Sequence, residues 1–512
     1  MNNTPLEDGK SEKENTPSLT KERTHKEVPY TIFERNEKLL LISILSMIGF
    51  WSTSSSPIYF PALPTLTKYF HTSTSIMNIS VVVYLICQGL APTVSSNLAD
   101  YFGKRPVLLA SLVIYIASCV ALSQTNVFWL LAVLRCIQAA GIAPVIAISS
   151  GVSGDVCTRE NRGTMVGAVS GIQLVGNGIG GLLGAALISG FGTWRSIFVY
   201  LAIGGGATLI AAVLLLAETS RKIVGNGTVM PKSIINRALL IYWPFFKKKM
   251  TNDVCTISPR EPFDILGPWK ILAKKEIFLT LLPSGMHFAA WTIMQASIST
   301  ELEGPKYNYG VMRVGLIYLP QGIACLVGSL IVGKCMDLYY KYRRDLYDKK
   351  MEDVPIDHRP PLNIIETRLT LTVVPAALMI IGLVIFGWCI QFRRHIVSII
   401  ISSSLIAFSS TLFISICTTI LVDLYPSQGS ASASCLNLVR CWLAALFTGV
   451  LDNMISSLDL GGTYTLVAGL CLITDACLVY VLYSANQKNK KFPSRESTKV
   501  HSRANSLIDV RQ

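Results

Sequence analysis

Between Leu39 and Tyr483 the chain returns twelve times to an apolar run of about twenty residues, and nearly all of its charge falls in the breaks between them. About twenty such residues in a helix cross a ~30 Å hydrocarbon core. The sharpest break is Ser96-Asn-Leu-Ala-Asp-Tyr-Phe-Gly-Lys-Arg105, which sets one acid, one glycine and two adjacent cations between the runs Ile76–Ser95 and Pro106–Ser123. Charge this dense is excluded from hydrocarbon, so the stretch predicts a tight turn at a membrane face. Asp100, Gly103, Lys104 and Arg105 are then held at one interface, where the charges pair with each other or with a neighbouring helix end. On spacing alone, an ordinary positive stop-transfer loop fits equally well.

Of the 512 residues, 51% are hydrophobic and only 15% are charged, whereas a soluble globular chain is nearer a quarter charged. These values predict an all-α membrane protein. The formal net charge of +14 does not point to nucleic acid, because the basic residues sit in connecting loops and tails rather than on one folded face. Lys and Arg kept on the cytoplasmic side of the spans account for them. Most of the thirteen cysteines fall inside apolar runs, Cys87, Cys119, Cys136 and Cys325 among them, and no Cys-x-x-Cys pair occurs. They read as small packing residues rather than disulfides or metal ligands. No phosphate loop, zinc-ligand spacing or nucleophile elbow is present, so neither an enzyme nor a bound cofactor or metal is expected.

In chain order, residues 1–38 read as a disordered cytoplasmic tail, polar and mixed in sign, with no secretory signal. The spans of the first half are Leu39–Phe60, Ile76–Ser95, Pro106–Ser123, Val127–Ser149, Gly163–Leu187 and Ile197–Leu216. A basic connector of about sixty residues follows, 217–276. Its segment Leu239-Leu-Ile-Tyr-Trp-Pro-Phe-Phe-Lys-Lys-Lys249 has the pattern of an interfacial helix facing anionic headgroups. The second half places spans at Ile277–Ile298, Gly315–Val332, Leu369–Ile390, Ile396–Leu421, Ala431–Leu451 and Tyr464–Tyr483, and a basic cytoplasmic tail covers 486–512. Summed loop charge puts both termini inside, with Arg393 and Arg394 the dissenting pair.

The loop after span 8, Gly333-Lys-Cys-Met-Asp-Leu-Tyr-Tyr-Lys-Tyr-Arg343, repeats in degraded form the glycine, acid and cation order of the loop after span 2. Two six-helix bundles, 39–216 and 277–485, joined by a long loop are the plan of a transporter that rocks around a midplane cavity.

Three stretches then carry a resemblance. Leu98-Ala-Asp100-x-x-Gly103-Lys-Arg105 resembles the signature between spans 2 and 3 of the major facilitator superfamily, with Ser96 in place of its opening glycine. Leu131-x-x-x-Arg135-x-x-Gln138-Ala-Ala-Gly141 resembles the span 4 signature, and Gly176-Asn-Gly-Ile-Gly180-Gly181 the span 5 signature of drug:proton antiporters. Ser55-Ser-Pro-Ile-Tyr-Phe-Pro-Ala-Leu-Pro64, Glu218-Thr-Ser-Arg-Lys-Ile-Val-Gly-Asn-Gly-Thr228 and Asn437-Leu-Val-Arg440 look like the fungal twelve-span drug:proton antiporters, in the subgroup of quinidine-resistance and dityrosine exporters. The resemblance implies export of small organic molecules, drugs or a dityrosine-type metabolite, driven by inward proton flow. It further implies that the Asp100–Arg105 signature, with Asp155, latches an inside gate. Asn177 stands where the antiporter pattern has proline, and asparagine does not force a kink. Close packing alone also explains Gly176, Gly180, Gly181 and Gly184.

Inside the spans, Arg135 is costly unless it faces water or a partner. It binds an anionic substrate group, biases a carboxylate during proton transfer, or donates to carbonyls of span 1 or 5. Arg440 invites the same reasoning, with Asn437 on its face. Two buried arginines and few buried acids, Asp475 and Asp155, suit an anionic or zwitterionic substrate. Gln88, Gln173, Gln295, Gln321, Tyr59, Tyr84, Trp291, Tyr318 and Ser54 complete the candidate cavity lining, although plain helix packing fits each of them as well. The expected partners are a small-molecule substrate, protons and the bilayer, with the chain a monomer in the plasma membrane or, alternatively, an internal or spore-forming membrane. Proton-coupled uptake, or a non-transporting nutrient sensor, are the alternatives on the same fold.

Overall fold

The computed structural model describes residues 31–158, 162–231, 233–238, 266–304, 307–352, 364–425 and 428–508, and beyond Tyr483 only the backbone of the last helix. The tail 1–30 and the interfacial segment expected at Leu239–Lys249 lie outside the described residues. What is described in the membrane portion is helical throughout, and the spans are labelled α1 to α12.

α1 runs Arg35–Ser54, passes through a 3₁₀ turn at Pro57–Ala62 and resumes at Leu63–Tyr69. Pro57 and Pro61 have no N–H to donate, so the regular ladder breaks at Ser55 and Ser56. Tyr59 N–H turns to the Ser56 carbonyl, which leaves the Ser55 carbonyl available to another helix. α2 is Thr74–Phe102 and α3 is Lys104–Gln124. The expected ten-residue turn at Ser96–Arg105 therefore shrinks to Gly103 alone, at φ +115°, a conformation that glycine adopts without strain. Asp100, Lys104 and Arg105 remain on helices because each finds partners there.

α4 is Phe128–Val156, α5 Arg162–Phe191 and α6 Arg195–Leu215. After the connector, α7 is Lys275–Glu303 and α8 is Val311–Lys350. The loop expected at Gly333–Arg343 is thus helix. Gly333 does not break the chain but lets it approach α5, where a Cβ on Gly167 would lie 2.9 Å from the Gly333 Cα. α9 is Ile364–Gln391 and α10 Ile396–Leu424. The last helix, Gly429–Ile508, is interrupted at Asp459 (φ 54°, ψ 177°). That break divides it into α11 (429–458) and α12 (460–508), so among the described residues eleven long apolar helices supply twelve spans.

The two six-helix halves meet along two seams, α5 against α8 and α2 against α11. On the first, a Cβ on Gly178 would lie 2.4 Å from the Gly322 Cα. The second is tied at three levels: Asn78 Nδ2 to Asp452 Oδ2 at 3.0 Å, Asn437 Nδ2 to the Gln88 carbonyl at 2.6 Å, and the Ala431 N–H to Asp100 Oδ2 at 3.3 Å. Small residues and interhelical hydrogen bonds bring helices together where hydrocarbon supplies no hydrophobic drive.

Candidate functional site

Between the seams lie two adjoining cavities that share Thr53, Leu174 and Arg440 in their walls. One spans about 400 Å³, counted together with the solvent it opens to, and is bordered by Ser150, Gln173, Thr418 and Asn437. The other spans about 370 Å³ on the same count and is bordered by Ser56, Gln88, Asn177, Phe288, Thr292 and Gln295. Both halves contribute, and among the described residues no Asp or Glu lines either one. Arg440 stands between them, 3% exposed. Its Nε donates to Asn437 Oδ1 at 2.9 Å, one turn back on α11, and its guanidinium lies 4.8 Å from the centre of the Phe288 ring on α7. Helical i−3 spacing makes the first contact, and the second is a cation–π contact.

Arg135 is placed differently from its expected position at the cavity. It is fully buried and lines neither space. Its guanidinium is sandwiched between two rings, 4.3 Å from the centre of Tyr59 and 4.1 Å from that of Tyr84. Nη1 donates to the Ser55 carbonyl at 3.0 Å and to Gln138 Oε1 at 2.9 Å. The carbonyl freed by the α1 break thus becomes the arginine's acceptor, one of the roles the sequence leaves open. Gln138 Nε2 reaches Cys119 Sγ at 3.2 Å, Tyr59 OH pairs with Ser80 Oγ at 3.1 Å, and Tyr115 OH with Ser55 Oγ at 2.8 Å. Nε and Nη2 of Arg135 have no partner, an arrangement that costs on the order of 1–3 kcal/mol per orphaned group.

At the end of the bundle that carries Asp100, the charges form a connected set. Lys104 Nζ meets Asp155 Oδ2 at 2.6 Å, with side chains 5% and 11% exposed, and Arg221 donates to the Asp155 carbonyl. Asp100 accepts from the first turn of α11, where a carboxylate suits the helix dipole. Arg105 turns away from Asp155. It donates to the Val213 carbonyl at 2.6 Å and to the Ile235 and Arg237 carbonyls of the connector. Glu218, not assigned a role from sequence, caps α3 by accepting the N–H groups of Lys104 at 3.1 Å and Arg105 at 3.0 Å, and those of Thr219 and Ser220. Burial pushes the Glu218 carboxyl above the usual range, and those backbone donors and the Lys104 charge pull it back. On the first seam, Asp337 of α8 accepts from the Thr164 N–H of α5 at 2.8 Å.

Along α5, Gly176, Gly180 and Gly184 face α1: a Cβ there would lie 2.5 Å from Thr53 Oγ1, 2.6 Å from Pro57 Cγ and 2.2 Å from the Ile58 carbonyl oxygen. Gly181 faces the Tyr318 ring. α5 continues unbroken through Asn177, whose carbonyl accepts from Gln295 Nε2 at 2.7 Å. Gln173 bonds Ser149 Oγ at 3.0 Å and the Leu45 carbonyl. Gln321, Trp291, Tyr318 and Ser54 are buried but border neither cavity, and the Gln321 amide and the Trp291 indole N–H have no partner. Sequence reasoning passed over two neighbouring residues, Phe288 on a cavity wall and His287 on neither wall. Phe288 has no sequence signal beyond apolarity, whereas His287 has one, as a histidine inside an apolar run. It meets Asp475, with Nε2 3.2 Å from both carboxylate oxygens.

The profile of the Major Facilitator Superfamily matches residues 39–448. The chain is 67% identical to the MFS antiporter QDR1 of Candida albicans, over 94% of each protein. It is 31% identical to citrate exporter 1 of Aspergillus niger, over 91% of this chain and 89% of that one. Among solved structures, the proton:xylose symporter XylE superposes with a TM-score of 0.62 at 13% identity, over 88% of this chain and 97% of that one.

Proposed function

The chain belongs to the major facilitator superfamily, and from that premise we propose that it exports small organic molecules by proton antiport, opening one central space to the two sides of the membrane in turn. It is a transporter rather than an enzyme. Organic anions and zwitterions are the substrates its cavity favours.

The observation that carries this reading is Arg440, a nearly buried cation on the wall of both cavities with no carboxylate on either wall among the described residues. A charge in a span is costly without a partner. The Phe288 face and Asn437 oxygen compensate it in part, and an anionic group on the substrate completes the compensation. The name of the citrate exporter supports an anion, and the name of the Candida albicans antiporter supports exchange. Apolar walls with a few polar anchors also admit drug-like molecules. The Asp100, Lys104, Arg105 and Asp155 set acts as the latch of the cytoplasmic gate, with Arg135 bracing α1 against α4. The chain works as a monomer in the plasma membrane with both termini in the cytoplasm, as the summed loop charge favours.

Asn177 favours a second reading, proton symport, because α5 lacks the proline of the antiporter pattern. The sign of one pH effect separates the two. Liposomes with an acid interior holding the purified protein accumulate labelled citrate beyond protein-free vesicles if protons leaving drive substrate in. Accumulation only with an acid exterior establishes symport instead.

A further inference from the structure

His287 lies about 18 Å along α7 from Lys275, and Asp475 about 12 Å along α12 from Tyr483, at ~1.5 Å per residue. The two meet inside the second bundle, His287 fully buried and the Asp475 side chain 10% exposed. We propose that the His287–Asp475 pair is the proton-loading site of this carrier: it takes up one proton while one face of the membrane has access and releases it when the other does. This rests on the antiport reading above.

The carboxylate has no Lys or Arg within ion-pair distance among the described residues; both oxygens share the single imidazole nitrogen. A permanent cation would lock the acid in its charged form. A histidine does not, because it is the side chain whose charge changes near neutral pH. With no added proton the pair carries one negative charge. With one it is net neutral, either as imidazolium and carboxylate or as imidazole and carboxylic acid. Hydrocarbon favours the neutral form, so the proton is held while the site is sealed and leaves when water reaches it. Uptake transfers a proton from a hydronium ion to the pair, and release returns it to water on the opposite side, so solvent supplies and receives it without a further reactant. His287 Nδ1 is buried with no partner, so neither arrangement is pinned from the far side of the ring.

The Cys417 thiol of α10 and the Cys471 thiol of α12 face Asp475. α9 carries no charged residue from Val373 to Gln391. Arg440 of α11 sits on Phe288, the neighbour of His287. Asp423 of α10 is paired with Arg368 at 3.3 Å, near the cytoplasmic end, where Lys274 and Lys275 of α7 also lie. Glu276 stands at that end and Glu301 and Glu303 at the other.

Two contacts link the pair to the cavity. The imidazole lies 4.3 Å from the Phe413 ring, centre to centre, and the next residue, Ile414, lines the cavity. Phe288 lines the adjoining cavity under Arg440. Pro283, one turn before His287 in α7, removes a ladder hydrogen bond, so the helix has a bending point there. At Gly285 a Cβ would lie 2.7 Å from Leu443 and 2.9 Å from Val439, on the two sides of Arg440 in sequence. A shift of α7 on proton loss therefore reaches the helix that carries Arg440.

The full-length protein in liposomes tests this with labelled citrate in two assays: exchange at equal pH, and accumulation driven by an acid interior. Asp475→Asn and His287→Gln each retain exchange, while gradient-driven accumulation falls about tenfold or more and exchange loses its dependence on pH. Accumulation that persists in both variants overturns the proposal. So does loss of both assays together with a lowered unfolding temperature, which makes the pair a structural tie. Wild-type vesicles that exchange citrate but ignore the pH gradient overturn antiport itself, and that failure appears without any variant.

Discussion

The guanidinium carbon of Arg135 lies 4.1 Å from the centre of the Tyr84 ring, so a buried charge of the first bundle rests on an aromatic face instead of a carboxylate. Desolvated contacts of this kind are worth about 2 kcal/mol or more. The Tyr84 hydroxyl is buried without a hydrogen-bond partner. Tyr84→Phe therefore leaves the unfolding temperature of the purified protein nearly unchanged, whereas Tyr84→Ala lowers stability by roughly 3–5 kcal/mol, as truncation of a buried aromatic does. Arg135→Lys keeps the charge but not the flat face between two rings, and it destabilises by more than Tyr84→Phe. Thermal unfolding in detergent measures all three.

The latch is read by hydrogen exchange. Removing one member of a buried ion pair leaves the other uncompensated, at a cost of about 3–5 kcal/mol. Asp155→Asn thus loosens Lys104 and the face it closes, and the amides of residues 429–434 at the start of α11 exchange faster. Asp100→Ala deletes the acceptor of the Ala431 N–H, and exchange there rises about tenfold or more, the equivalent of a hydrogen bond to a charged group. Asp100→Asn retains an acceptor oxygen and gives a smaller increase.

Glycines separate by what they face. A Cβ at Gly184 would lie 2.2 Å from the Ile58 carbonyl oxygen, while at Gly206 nothing lies within 4 Å. Gly184→Leu prises α5 from α1 and costs at least ~1–3 kcal/mol, seen as loss of folded protein in size-exclusion profiles. Gly206→Ala is neutral or stabilising by up to ~1 kcal/mol, because alanine restricts the unfolded chain and favours helix.

The helices and their order were legible from hydropathy because spans are dictated by what hydrocarbon excludes. Their ends were less so. Gly103 and Gly333 look alike in sequence, but one turns the chain at φ +115° and the other lets α8 pass close to Gly167. Only the neighbouring helix distinguishes them. Arg440 with Asn437 was legible because i−3 spacing on a helix makes the contact by itself. Arg135 was legible as costly but not as caged, since Tyr84 arrives from α2, while Tyr59 and the Ser55 carbonyl both come from the proline break in α1. Glu218 and the His287–Asp475 pair depend on long-range packing in the same way. For His287 a signal was present, its lone position in an apolar run.

The central claim is that Arg440 supplies the charge that recognises an anionic substrate, and binding measures it most directly. Isothermal titration of the purified protein with citrate and other organic acids compares wild type with Arg440→Gln. Loss of a charged hydrogen bond is worth about 1.5–3 kcal/mol, so the variant binds those acids at least about tenfold more weakly, while quinidine, a cation, binds no worse. Equal affinity of the two proteins for every acid that binds would contradict the account.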